Sequence, residues 1–199
     1  MNNPDRTLPE FAGRERLIQR LDTALMATGA GAAAPAIEAA LRACITDPAI
    51  VLPAAVWAAP GAHYARRLLA HSPTHGYSVI AMTWGPGQST PLHDHDDQWC
   101  VEGVWRGPLE VLPFDRLDDA SDPACCRFLP RPAQRLGAGD SGHLQPPDRY
   151  HILRNPGTDT VAVSVHVYQA LMARCRVFVP QGNGRYLQCE RQLGLDPWP

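Results

Sequence analysis

Two histidines stand one residue apart in the stretch TPLHDHDDQWCVEGVWRG, residues 90–107. In an extended strand the side chains at i and i+2 leave the same face, so His93 and His95 point together, inward or outward. Neutral imidazole is a common ligand for transition metals, and two rings on one face make a bidentate grip. A pair of exposed strand histidines has the same spacing, so this fragment alone leaves both readings open. Asp94 faces away from both histidines by the same alternation, and Asp96 and Asp97 fall in a turn, so none of the three is expected to be a ligand. A cysteine, Cys100, follows five residues after His95.

Such a grip needs rigid elements to hold it. Leu17, Ile18, Leu21 and Leu25 recur at helical spacing among charged residues, which predicts an amphipathic helix over residues 13–28. A second helix is expected from about Pro35, with Ile37, Leu41 and Cys44 on one side, ending at Asp47 because proline at 48 pushes its predecessor out of the helical region. A short third helix is expected over 62–71. Beyond it the texture changes to β-branched and aromatic runs cut by turn residues. Strands are expected over 77–84, 90–95, 98–106, 109–114, 142–144, 150–155, 161–168 and 176–179. Residues 116–138, rich in Pro, Asp and Ala, read as a connection holding at most one strand. Short strands with regular turns and no helices between them predict an antiparallel barrel or sandwich. A chain of 199 residues suits one domain. Its expected parts are a helical segment, 1–72, packed on a barrel, 73–199.

The counts of 18 basic and 20 acidic residues give a formal charge of -2. No field arises that would favour nucleic acid or an anionic membrane, and no segment has the apolar length of a span or a signal peptide. A cytoplasmic protein is expected. Six cysteines (Cys44, Cys100, Cys125, Cys126, Cys175 and Cys189) lie without CxxC spacing, so they read as reduced thiols rather than a zinc knuckle or a disulfide framework. His63, His71, His75 and His143 are expected at the surface, Trp84 and Trp105 in the core. The sequence carries no signal of oligomeric state.

The flanks of the histidine pair extend the reading. Gly87, His93, His95, Cys100 and Gly107 fall on the spacing of GxxxxxHxHxxxxExxxxxxG, with cysteine in place of the glutamate. Pro146, Asp148, His151 and Asn155 fall on that of PxGxxHxxxN, with aspartate in place of the glycine. The pair resembles the two motifs of the cupins, and this resemblance implies a mainly β, small antiparallel barrel or jelly roll whose metal ligands are His93, His95 and His151. With the acidic ligand lost, three neutral imidazoles leave the charge of a divalent metal uncompensated, which favours anionic ligands such as a thiolate.

Over residues 64–178 the chain further resembles the cysteine dioxygenase family, cupin-fold non-haem iron enzymes. The segments that carry the likeness are YAR at 64–66, WGPGQSTPLHDH at 84–95 and SVHVY at 164–168. The resemblance implies Fe(II) as cofactor, Arg66 as partner of the substrate carboxylate, and an inward series of Ser164, His166 and Tyr168 in which the first two steady the tyrosine hydroxyl. Cys100 falls on the cysteine that bonds through sulfur to the tyrosine ring in some members, and Cys175 has a counterpart at the pocket rim. Gln169 and Ala170 replace the Ser-Pro that follows the tyrosine in several members.

The expected reaction is the oxidation by O2 of a small carboxylate-bearing thiol to its sulfinic acid. Cysteine is the first choice of substrate because members that prefer 3-mercaptopropionate carry glutamine where Arg66 stands. Arg174 and Arg176 share a strand face, and at the pocket rim they would favour a dicarboxylic thiol such as mercaptosuccinate. A cupin with another metal reaction would keep the acidic ligand, and a ligand-binding cupin without catalysis would not need Arg66 together with the Ser164, His166, Tyr168 series.

Overall fold

The computed structural model describes residues 8–58, 61–118, 122–124, 126–146 and 150–198. Cys125 and Asp148 lie outside the described residues. Among the described residues two α-helices, α1 (Arg14–Met26) and α2 (Ala33–Ile45), precede twelve strands: β1 (Ala65–His71), β2 (Ser78–Trp84), β3 (Leu92–His93), β4 (Cys100–Arg106), β5 (Leu109–Arg116), β6 (Cys126–Pro130), β7 (Gln134–Leu136), β8 (Ser141–Leu144), β9 (Tyr150–Arg154), β10 (Ala162–Tyr168), β11 (Arg174–Gly182) and β12 (Arg185–Gln192).

All the pairings are antiparallel and build two sheets, ordered β1-β2-β10-β4-β8 and β6-β12-β11-β3-β9-β5-β7. A further β6–β5 pairing closes six strands of the second sheet on themselves, which leaves those strands no free edge. This is the cupin architecture, mainly β with two helices.

The five-stranded sheet separates two cores. On its outer face Val79, Ala81, Val101, Val163, Val165 and Val167 pack against Leu17, Leu21, Ile37 and Leu41 of the helices. On its inner face Ile80, Met82, Trp84, Cys100, Val104 and Tyr168 meet Leu109, Val111, Leu153 and Val177 of the second sheet. With both faces covered, β2 and β10 are buried at every position, so they read as near-continuous apolar runs with polar residues only where the inner face needs them. Helix α2 comes so close to β4 that a Cβ at Gly103 would lie 2.5 Å from Ile45 Cδ1. Gly107, at φ 75°, turns the chain from β4 to β5, and a Cβ there would lie 2.9 Å from Ala162 Cα.

Three expectations need correction. Residues 65–71 form β1, not a third helix: ARRLLAH has good helix formers, but pairing along the edge of β2 outweighs propensity. The connection 116–138 holds two strands, β6 and β7, of which the second is largely exposed. Strand β12 lies beyond the last strand expected from the sequence. Its polar RYLQCERQ shows no clear alternation, yet the Asn183-Gly184 turn, with φ 51° and 70°, folds it back on β11, and Asn-Gly is a strong hairpin signal.

Candidate metal centre and substrate cleft

His93 on β3 pairs directly with His151 on β9, and His95 follows two residues after His93. Strand β3 is shorter than the 90–95 expected because Asp94 redirects the chain. Its buried carboxylate accepts the Arg176 backbone N–H at 2.9 Å and lies 3.2 Å from Arg176 Nη1 on β11. Asp96 and Asp97 then turn at φ 51° and 61°. The aspartates therefore leave the site, as alternation suggested, and the rings of His93, His95 and His151 converge.

Their centroids lie 4.7–5.1 Å apart, and one nitrogen from each falls within 4.8 Å of the others. Burial pushes His93 down to about 4. Burial, with the repulsion of neighbouring rings, pushes His151 well below the usual range. Neutral rings are the ligand form. His93 Nδ1 lies 3.0 Å from the Pro91 carbonyl. A carbonyl only accepts, so Nδ1 carries the proton and Nε2 is left for a metal. Both nitrogens of the buried His151 lack a hydrogen-bond partner, which is costly in a core unless a cation occupies the centre. The three histidines fit a metal ion.

The inward face of β10 lies alongside. Trp84 Nε1 donates to Ser164 Oγ at 2.9 Å, and Ser164 Oγ lies 2.8 Å from His166 Nε2. Burial pushes His166 down to about 3. His166 does not bond the Tyr168 hydroxyl, contrary to expectation; the two rings stack at 5.9 Å and 13°. The i,i+2 spacing sets them side by side on one strand, which favours ring stacking over an end-on bond. Tyr168 is instead the direct cross-strand neighbour of Cys100 on β4, and its hydroxyl lies 4.0 Å from Met82 Sδ. Burial pushes Cys100 and Tyr168 well above their usual values.

Alternation along β4 from Cys100 carries Glu102 inward too, a signal passed over in the sequence. Its buried carboxylate lies 4.0 Å from His151 Nδ1 and 3.8 Å from His166 Nδ1. Burial pushes it up to about 8.

A narrow cleft of about 30 Å³ opens onto His93 and His95 between Tyr64, Arg66, Met82, His166, Tyr168, Cys175 and Arg191. Arg66 stands on β1, not at a helix end. The C-terminal segment holds it: its backbone N–H donates to Asp196 at 2.7 Å and its Nη1 to the Gly194 carbonyl at 2.9 Å. Nη2 is buried without a partner. Arg174 and Arg176 do not line the cleft; they pair with Asp96 and Glu190, and with Asp94 and Asp97. The second cation at the cleft is Arg191 on β12, opposite Cys175. Sequence reading missed it along with its strand. Trp84 is a core residue, and His63, His71 and His143 are exposed. Among the described residues no helix is long and apolar enough to cross a membrane.

In comparisons with known proteins, the chain is similar to the cysteine dioxygenase type 1 of Danio rerio, at 26% identity over 102 residues, and to that of Rattus norvegicus, at 24% over 102 residues. Each match covers 51% of this chain and 49% of the relative, so the chain spans about half the length of the curated relatives it matches. Among solved structures, it is similar to a conserved protein with a double-stranded β-helix domain from Klebsiella pneumoniae, with 17% identity, a TM-score of 0.44, and coverage of 71% of this chain and 92% of that one. A cupin 2 conserved barrel domain protein from Salinispora arenicola is also similar, with 23% identity, a TM-score of 0.37, and coverage of 52% and 72%. The model of the family described as cysteine dioxygenase type I matches residues 57–181, well over half of the sequence and the span that holds all three histidines; the chain belongs to that family.

Proposed function

We propose that the protein is a thiol dioxygenase that holds Fe(II) on His93, His95 and His151 and converts a small carboxylate-bearing thiol to its sulfinic acid. The overall change is RSH + O2 → RSO2H, with both oxygen atoms ending on sulfur. When bound, iron supplies the Lewis acidity that favours the substrate thiolate and the redox capacity to activate O2.

The observation that carries the reading is Arg66. A buried guanidinium with its Nη2 amino group left unpartnered, in the same cleft as two of the triad histidines, calls for an anion. Arg66 grips the substrate carboxylate and so aims the thiol at the triad. Tyr168 and His166 wall the cleft on the inner side, and Tyr168 offers its hydroxyl to the bound substrate. Ser164 holds the His166 ring through Nε2. Met82, Leu153 and Val177 exclude water from the reacting sulfur. Cysteine is the first choice of substrate.

A second reading of the substrate is favoured by Arg191. Among the described residues two arginines and no acidic residue line the cleft, a balance that suits a dianion, so a dicarboxylic thiol of the mercaptosuccinate type would engage Arg66 with one carboxylate and Arg191 with the other. Oxygen uptake by anaerobically iron-loaded protein, with cysteine, 3-mercaptopropionate and mercaptosuccinate and sulfinate identified by mass, tests both readings. Uptake with none of them would overturn the proposed function. Mercaptosuccinate far above cysteine, in a preference that Arg191→Ala removes, would decide for the second.

A further inference from the structure

Donor bookkeeping around β10 leads to a group outside the family series. An indole N–H can only donate, so Ser164 Oγ accepts from Trp84 at 2.9 Å, and its own hydrogen has His166 Nε2 as an acceptor at 2.8 Å. With Ser164 as the donor in that contact, the neutral His166 ring carries its proton on Nδ1, the atom that faces Glu102 Oε2 at 3.8 Å. From the other side His151 Nδ1, without a partner, faces Glu102 Oε1 at 4.0 Å. A buried carboxylate thus lies between two imidazole nitrogens, one oxygen toward each, with both gaps slightly beyond hydrogen-bond length.

The gaps have room to close. Glu102 and His151 line a second cavity of about 180 Å³, which shares no residue with the substrate cleft. Both residues thus border open space.

We propose that Glu102 is a positioning residue that accepts the Nδ1–H of His151 on one oxygen and that of His166 on the other when the triad holds its metal. The proposal rests on the metal-centre reading. Its first consequence is that His151 is locked with Nε2 toward the metal and made more basic. Its second is polar support: with Cys100 in place of an acidic ligand, Glu102 sets its carboxyl oxygens behind His151 and leaves the ligand position itself open. Its third is coupling, because the same carboxylate fixes the His166 ring that stacks on Tyr168.

The test reads metal binding rather than turnover. Co(II) is titrated anaerobically into wild-type full-length protein and the Glu102→Gln and Glu102→Leu variants, alongside thermal melting of the metal-free proteins. Both variants are expected to bind Co(II) about 10- to 100-fold more weakly, with an altered visible spectrum of the bound ion. Their metal-free forms should melt no lower than wild type, because Glu102 lies beyond hydrogen-bond length of both histidines there and no bond to either is lost. Unchanged Co(II) affinity in both variants would overturn the proposal, and so would a loss of affinity matched by lower melting of both metal-free variants, which assigns Glu102 to packing. Wild-type protein that takes up no Co(II), with His93→Ala indistinguishable from it, overturns the triad reading and this inference together; the other two results overturn this inference alone.

Discussion

Two groups of arginines stand on neighbouring parts of the barrel and differ in what they face. On the β3–β11 rim, Arg176 is tied to Asp94 and Asp97 and Arg174 to Asp96 and Glu190. At the cleft, Arg66 is tied only to backbone and to Asp196 through its own main chain, and it keeps its buried Nη2 unpartnered. Arg191 joins it at the mouth. A guanidinium already satisfied by carboxylates has little left for a substrate, whereas one held by carbonyls keeps its full charge to offer. The rim arginines are tied into the loop that carries His95, and the cleft arginines are left to face the cleft.

The largest expected effect lies where both groups converge. Changing His93, His95 or His151 to Ala should remove bound iron and leave less than about 1% of turnover, as measured by metal analysis and oxygen uptake. Next comes Arg66→Gln, which strands the substrate carboxylate and should cost about 3–5 kcal/mol, several hundredfold or more in kcat/KM. If that variant keeps wild-type kcat/KM with every carboxylate-bearing thiol, Arg66 does not grip the substrate.

On the rim, Arg176→Ala should leave specificity alone and lower stability by about 1–3 kcal/mol, because Asp94 stays buried without its guanidinium. Thermal melting and the substrate panel together check this. Arg191 is exposed at the mouth, so Arg191→Ala should lower kcat/KM for a dicarboxylic thiol only about five- to tenfold and leave cysteine untouched. The smallest effect belongs to Arg174→Ala, expected to change neither melting nor specificity. A loss of dicarboxylate preference in Arg174→Ala would place the selecting cation on the rim after all and reverse the comparison.

The sequence was most legible where one strand's own alternation decides. Val163, Val165 and Val167 face the helices while Ser164, His166 and Tyr168 face inward, as period two requires. Asp94 was set apart from the histidines by the same rule. It failed where a neighbour decides. ARRLLAH is a strand because β2 offers an edge, and the polar β12 is ordered because a turn returns it to β11. Glu102 was within reach, two residues from Cys100 on the inner face, but its meaning depends on what stands opposite.

Beyond the three histidines, which the resemblance to the two motifs implied as ligands, the chain's local order by itself determined the shared face of His93 and His95, the inward series on β10 and a barrel of short antiparallel strands. The shared faces and the barrel follow from the period of an extended backbone and the placement of turn residues. Only the tertiary structure decided that Arg191 rather than Arg174 or Arg176 joins Arg66, that His166 stacks on Tyr168 instead of bonding its hydroxyl, and that Glu102 lies between two imidazoles. Those outcomes depend on register between strands distant in sequence, where a shift of one residue exchanges every facing partner, and no local pattern encodes that register.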